Sequence, residues 1–119
     1  MPWSSRPSDR RRFPRFKADI PATASLVGTS ETFSLRTRCD SISEGGFGAR
    51  GLQSLALGEL VRLELQLPVS MQPTWVNTIV MRRSTDRCGL EFLSLSDYQR
   101  NLIKRYCHLQ PKEKPRRRL

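Results

Sequence analysis

The sequence has no apolar run near the ~20 residues that a membrane helix needs. Basic residues near its start lead into no apolar stretch, so the pattern of a secretory signal is missing and the cytoplasm is the expected compartment. Cysteine is scarce. Cys39, Cys88 and Cys107 are odd in number and widely spaced, which supports neither a disulfide framework nor a zinc site. They are expected to be reduced core thiols. His108 is the single histidine, and the acids are scattered with no pair set for acid–base work and no cluster to hold a catalytic metal. An enzyme is not expected, and neither is a cofactor.

Acids are also outnumbered, 11 against 21 lysines and arginines, for a formal net charge of +10. Residues 1–17 carry six bases and one acid, and residues 104–119 carry seven bases and one acid. Residues 18–103 carry eight arginines and nine acids, so the positive charge sits in the terminal segments and the body is nearly neutral. That balance argues against a long basic groove for nucleic acid. The expected organisation is a flexible basic arm over 1–17, one folded domain over 18–109 and a solvated tail over 110–119, where Pro111 and Pro115 interrupt a charge run.

Period-two alternation dominates the body and predicts half-buried antiparallel strands. Phe33, Leu35, Thr37 and Cys39 share a face, and Val61, Leu63, Leu65 and Leu67 alternate with Arg62, Glu64 and Gln66. Val76, Thr78 and Val80 oppose Trp75, Asn77 and Ile79, and Cys88, Leu90 and Phe92 oppose Gly89 and Glu91. A first strand is expected over 20–27. The period changes once: Ser96 and Gln99 form a capping box, and Leu102, Ile103, Tyr106 and Leu109 recur at helical spacing, predicting a helix over 96–109. Several short strands followed by one helix describe a mostly β chain, a small barrel with a helix over one opening or edge.

Two stretches can carry chemistry. In Arg11-Arg12-Phe13-Pro14-Arg15 the proline prevents a helix, so Arg11 and Arg15 lie on an extended arm. At ~3.3 Å per residue they stand roughly 13 Å apart on one side, a span suited to a compact anionic and aromatic ligand. Guanidinium suits such a target because it forks to phosphate, reads guanine O6 and N7, and stacks on bases. The second stretch is Ser41-Ile42-Ser43-Glu44-Gly45-Gly46, between two strands. It offers the Ser43 hydroxyl and glycines that let a ligand approach backbone N–H groups, although an ordinary hairpin turn has the same composition. Gly46-Phe47-Gly48-Ala49-Arg50-Gly51 matches the dinucleotide fingerprint literally, but no helix is expected after it, so a Rossmann site is rejected.

Taken together these stretches resemble the PilZ domain, whose members carry R-x-x-x-R in an arm and then [D/N]-x-S-x-x-G at a strand turn. Arg11 and Arg15 match the first motif, Ser43 and Gly46 match the second, and Ser41 stands where Asp or Asn is usual. Cys88-Gly89-Leu90-Glu91-Phe92 resembles the family's later strand, so the resemblance covers about residues 10–109. It implies a six-stranded antiparallel barrel with a C-terminal helix that binds cyclic di-GMP. Arg11 and Arg15 would contact phosphates and guanines, and the Ser41–Gly46 turn would close on the second guanine. Arg10, just before the motif, suits a stacked pair of ligand molecules.

On this reading the chain is a receptor or adaptor in which ligand orders the arm over the barrel. The surface so formed would act on a separate protein in motility, secretion or exopolysaccharide machinery. Two other readings stay open: a degenerate domain that kept only protein contacts, and a small nucleic-acid-binding barrel with Trp75 as its strand aromatic.

Overall fold

A computed structural model describes residues 13–27, 34–52 and 54–112. Six strands, β1 (Phe16–Leu26), β2 (Ser34–Ile42), β3 (Gly46–Arg50), β4 (Leu60–Leu65), β5 (Thr74–Arg83) and β6 (Arg87–Phe92), precede one helix, α1 (Asp97–His108). All strand pairs are antiparallel, and they close into a barrel in the order β1-β2-β3-β6-β5-β4. The expected mostly β barrel with a terminal helix is therefore what forms.

The inward residues are those that the alternation picked out. Val61, Leu63, Leu65 and Leu67 are fully buried, as are Val76, Val80, Cys88 and Leu90. Each such side chain contributes roughly 1.5–3 kcal/mol on leaving water. The one polar residue fully buried among them is Thr78, whose Oγ1 donates to the Val61 carbonyl at 2.8 Å. The first strand begins at Phe16, four residues before the expected start at Ile20, and Phe16 is itself in the core.

α1 is set by its ends and one face. The Ser96 hydroxyl accepts from the Gln99 N–H at 3.1 Å, while Gln99 Oε1 accepts from the Ser96 N–H at 2.8 Å. That reciprocal pair is the predicted capping box. Leu102, Ile103, Tyr106 and Cys107 are buried against the barrel, and the Tyr106 hydroxyl accepts from the Asp19 N–H at 3.4 Å. The helix thus closes the end of the barrel where β1 starts and β2 finishes.

The chain then returns to β1. Lys17 N–H donates to the Pro111 carbonyl at 2.9 Å, and Phe16 pairs with Lys112 in an antiparallel bridge. Because β4 joins β1 only from Ala22 onward, residues 111–112 cover a stretch of β1 edge that would otherwise be open. No helix among the described residues is long and apolar enough to cross a membrane.

Candidate functional site

The turn between β2 and β3 is built around Ser43. Its Oγ accepts from the N–H groups of Gly45 and Gly46 at 3.1 and 3.2 Å, and its own N–H donates to the Gly46 carbonyl at 2.9 Å. The two glycine amides expected to meet a ligand are therefore taken up inside the turn. The Ser43 hydroxyl keeps its own hydrogen as a donor. Gly46 has a packing role as well, since a Cβ there would lie 2.3 Å from the Leu90 carbonyl oxygen of β6.

The arm reaches this turn. A Cβ at Gly45 would stand 3.0 Å from Phe13 Cδ2, so the Phe13 ring lies directly over the glycine. Pro14 and the partly buried Arg15 then lead into β1. Phe13, two residues before Arg15, thus meets the turn at the helix-closed end of the barrel, with Arg15 and Ser43 28 residues apart in sequence. Arg10 and Arg11 lie outside the described residues.

Ser41 occupies β2 opposite Gly48 of β3, and the two share a face. Register shifts between Cys39 and Ser41 on the β3 ladder, because Asp40 is an extra residue there. Cys39 and Ile42 point inward, and Asp40 and Ser41 both turn to the outer face. Strict alternation would put these neighbours on opposite faces, and the bulge removes that constraint. Ser41 is nearly covered, at 4% exposed.

Asp40 is held by two arginines. Arg87 Nη1 donates to Oδ2 at 2.6 Å and Nη2 donates to Oδ1 at 2.7 Å, while Arg50 Nε stands 3.6 Å from Oδ2. Arg87 starts β6, so its side chain crosses β3 to reach β2. Gly48 makes the crossing possible, since a Cβ there would sit 2.9 Å from Arg87 Nη2. Sequence reasoning missed this pair, whose partners are 47 residues apart and share no motif.

Burial pushes the Cys39 thiol far above its ordinary value and raises that of Cys107 to about 12. Burial also raises Cys88 and Tyr106. All three cysteines are free and buried, so they are protonated core thiols and poor nucleophiles at neutral pH. Trp75 is on β5, across the barrel from β2, with the Arg62 guanidinium 5.2 Å from its ring centre. Of the stretch 46–51 that matched the dinucleotide fingerprint, residues 46–50 are strand β3, with no helix following it directly.

A closed six-stranded antiparallel barrel, a capping helix and Phe13 packed on a serine–glycine turn define a small capped β-barrel domain. The family model for the PilZ domain matches residues 9–109, and the chain belongs to that family. No curated protein matches it significantly. Among solved structures it is similar to the PilZ domain of YcgR from Escherichia coli with c-di-GMP, at TM-score 0.69 and 19% identity over 85% of this chain and 91% of that one. It is similar to the motility inhibitor MotI/DgrA of Bacillus subtilis, at TM-score 0.67 and 21% identity over 84% of this chain and 50% of that one. The PilZ domain of CeSA from a cellulose-synthesizing bacterium aligns at TM-score 0.61 and 16% identity, over 79% of this chain and 94% of that one. The chain therefore spans about half the length of MotI/DgrA but nearly all of the isolated domains.

Proposed function

We propose that this chain is a cyclic di-GMP receptor that works as an adaptor, without catalysis of its own. The observation that carries the reading is the contact of Phe13 with Gly45, which sets the chain just before Arg15 beside the Ser43 turn. A dianionic ligand with two planar bases suits forked, stackable guanidinium groups beside a hydroxyl donor. The YcgR domain that this fold resembles is described with c-di-GMP.

Arg11 and Arg15 are the phosphate- and base-contacting residues of this reading, with Arg10 for a second stacked ligand. Ser43 donates through its hydroxyl, Gly46 lets β3 and β6 close up, and Ser41 lines the same face. Ligand fixes the arm against the barrel and makes a surface for a separate protein. A motility, secretion or exopolysaccharide component is the proposed partner, and the cytoplasm the proposed location. Ser41 lacks the charge of the usual Asp, which weakens one guanine contact by about 1–3 kcal/mol, roughly tenfold to a hundredfold in Kd.

The test is calorimetric titration with cyclic di-GMP at physiological salt, with GTP and cyclic di-AMP as controls. Selective micromolar binding is expected, lost in Arg11→Ala and in Arg15→Ala while the thermal transition stays in place. No heat and no thermal stabilisation at high ligand would overturn the reading and return the chain to protein contacts alone.

A further inference from the structure

We propose that the helix-closed end of the barrel is a docking surface for a bilayer of anionic phospholipid. This docking is separate from the binding of cyclic di-GMP and does not depend on it.

Charge comes first. Residues 1–17 carry six bases against one acid, a net +5, and residues 104–119 carry seven against one, a net +6. In sequence these stretches lie far apart, and no local pattern brings them together. The fold does. Lys17 N–H donates to the Pro111 carbonyl at 2.9 Å and Phe16 bridges to Lys112, so the two basic stretches meet at one point. Residues paired in this way have Cα atoms about 5 Å apart, well inside a Debye length of ~8–10 Å. Their fields therefore add. Residues 18–103, with eight arginines and nine acids, are nearly neutral, so the positive potential belongs to one pole.

The described part of that pole presents its charge to solvent. Lys17, Arg105 and Lys112 are exposed and Lys104 is half-buried, and among the described residues none of the four has an ion-pair partner. The His108 ring meets Phe16 edge-on, with centres 6.4 Å apart, which sets the last turn of α1 beside Lys17. Arg105 is on the same helix face as His108, one turn earlier. Of the acids nearby, Asp19 is already held by Arg38 at 2.6 Å. Glu44, whose charge reaches the Cys107 thiol, adds a single negative charge.

Leu109 decides the kind of polyanion. It caps α1 next to this cluster with 70% of its surface exposed. An apolar side chain among cations suits the headgroup boundary of a bilayer, where bases meet phosphates and the alkyl group meets acyl chains. Nucleic acid calls for aromatic platforms, and Tyr98, the exposed ring of α1, is at the opposite end of the helix.

Flotation of the full chain with vesicles tests this. Phosphatidylcholine mixed with phosphatidylglycerol should retain the protein, phosphatidylcholine alone should not, and high salt should release it. Each base at the surface is worth about fivefold in affinity, so Lys17→Gln with Lys112→Gln should weaken retention about twenty-five-fold. Leu109→Ser should weaken it severalfold. Arg36→Gln with Arg82→Gln removes the same charge elsewhere and should bind as the native chain does. Arg36 pairs with Thr23 well along β1, and β5, which carries Arg82, runs antiparallel to the β6 strand that leads into α1. The thermal transition should stay in place in every variant. Equal losses in the two double variants would mean that net charge alone acts, and would overturn the pole. No retention on anionic vesicles, or retention on duplex DNA alone, would overturn the lipid assignment and leave the cyclic di-GMP reading untouched.

Discussion

Gly45 and Gly46 are neighbours with different neighbours of their own. At position 46 a methyl group would press on the Leu90 carbonyl, which is backbone in the centre of a ladder and cannot turn away. Gly46→Ala should lower stability by about 2 kcal/mol or more, read as a fall in the unfolding midpoint. At position 45 the obstacle is the Phe13 ring, which can rotate. Gly45→Ala should therefore leave the midpoint close to native; an equal loss in both variants would mean that β3 and β6 are not so close. Ser43, Gly46 and Arg15 could be named from the sequence because a local motif marks them. Asp40 and Arg87 could not. Their pairing depends on a bulge and on a glycine in the strand that lies between theirs, and neither has a sequence signature.

The elements were legible in proportion to the size of their inward side chains. β4 reads clearly because Val61, Leu63 and Leu65 are large and their outward neighbours are polar. The first residues of β1 do not, because between the buried Phe16 and Ile20 the one apolar side chain is the small Ala18, and Pro21 follows. Pro21 is accommodated because its carbonyl still accepts from the Gln66 N–H at 3.2 Å. α1 announced itself through Ser96 and Gln99, and the cap carries a measurable share of its stability. Ser96→Ala should cost about 1 kcal/mol. Amide exchange should quicken in the first turn of α1 and not in the strands. Uniform quickening would mean that the helix and barrel open as one unit.

At the scale of the molecule, the sequence revealed strands but not their circular order. Closure joins β1 to β4 and inserts β6 between β3 and β5, and these are long-range choices that no local pattern encodes. The closed interior has a consequence for pH. Cys39, Cys88, Cys107 and Tyr106 all have raised pKa values, chiefly through burial, so the folded barrel keeps protons that the unfolded chain releases. The unfolded thiols ionise near 9.0, whereas Cys107 in the fold waits until about 12. Stability should be level with respect to these groups below pH 9 and should fall as pH rises above it. Denaturant midpoints between pH 7 and about 10.5, taken in reductant, would reveal it; a flat profile would mean that the thiols are wetter than their burial indicates. The bridge from Lys112 to Phe16, finally, is a mechanical joint. One hydrogen-bonded clasp ties the root of the arm to the chain just beyond α1, so tension on the arm is passed to the last turn of the helix. A grip taken at the front of the barrel can be felt at its lid.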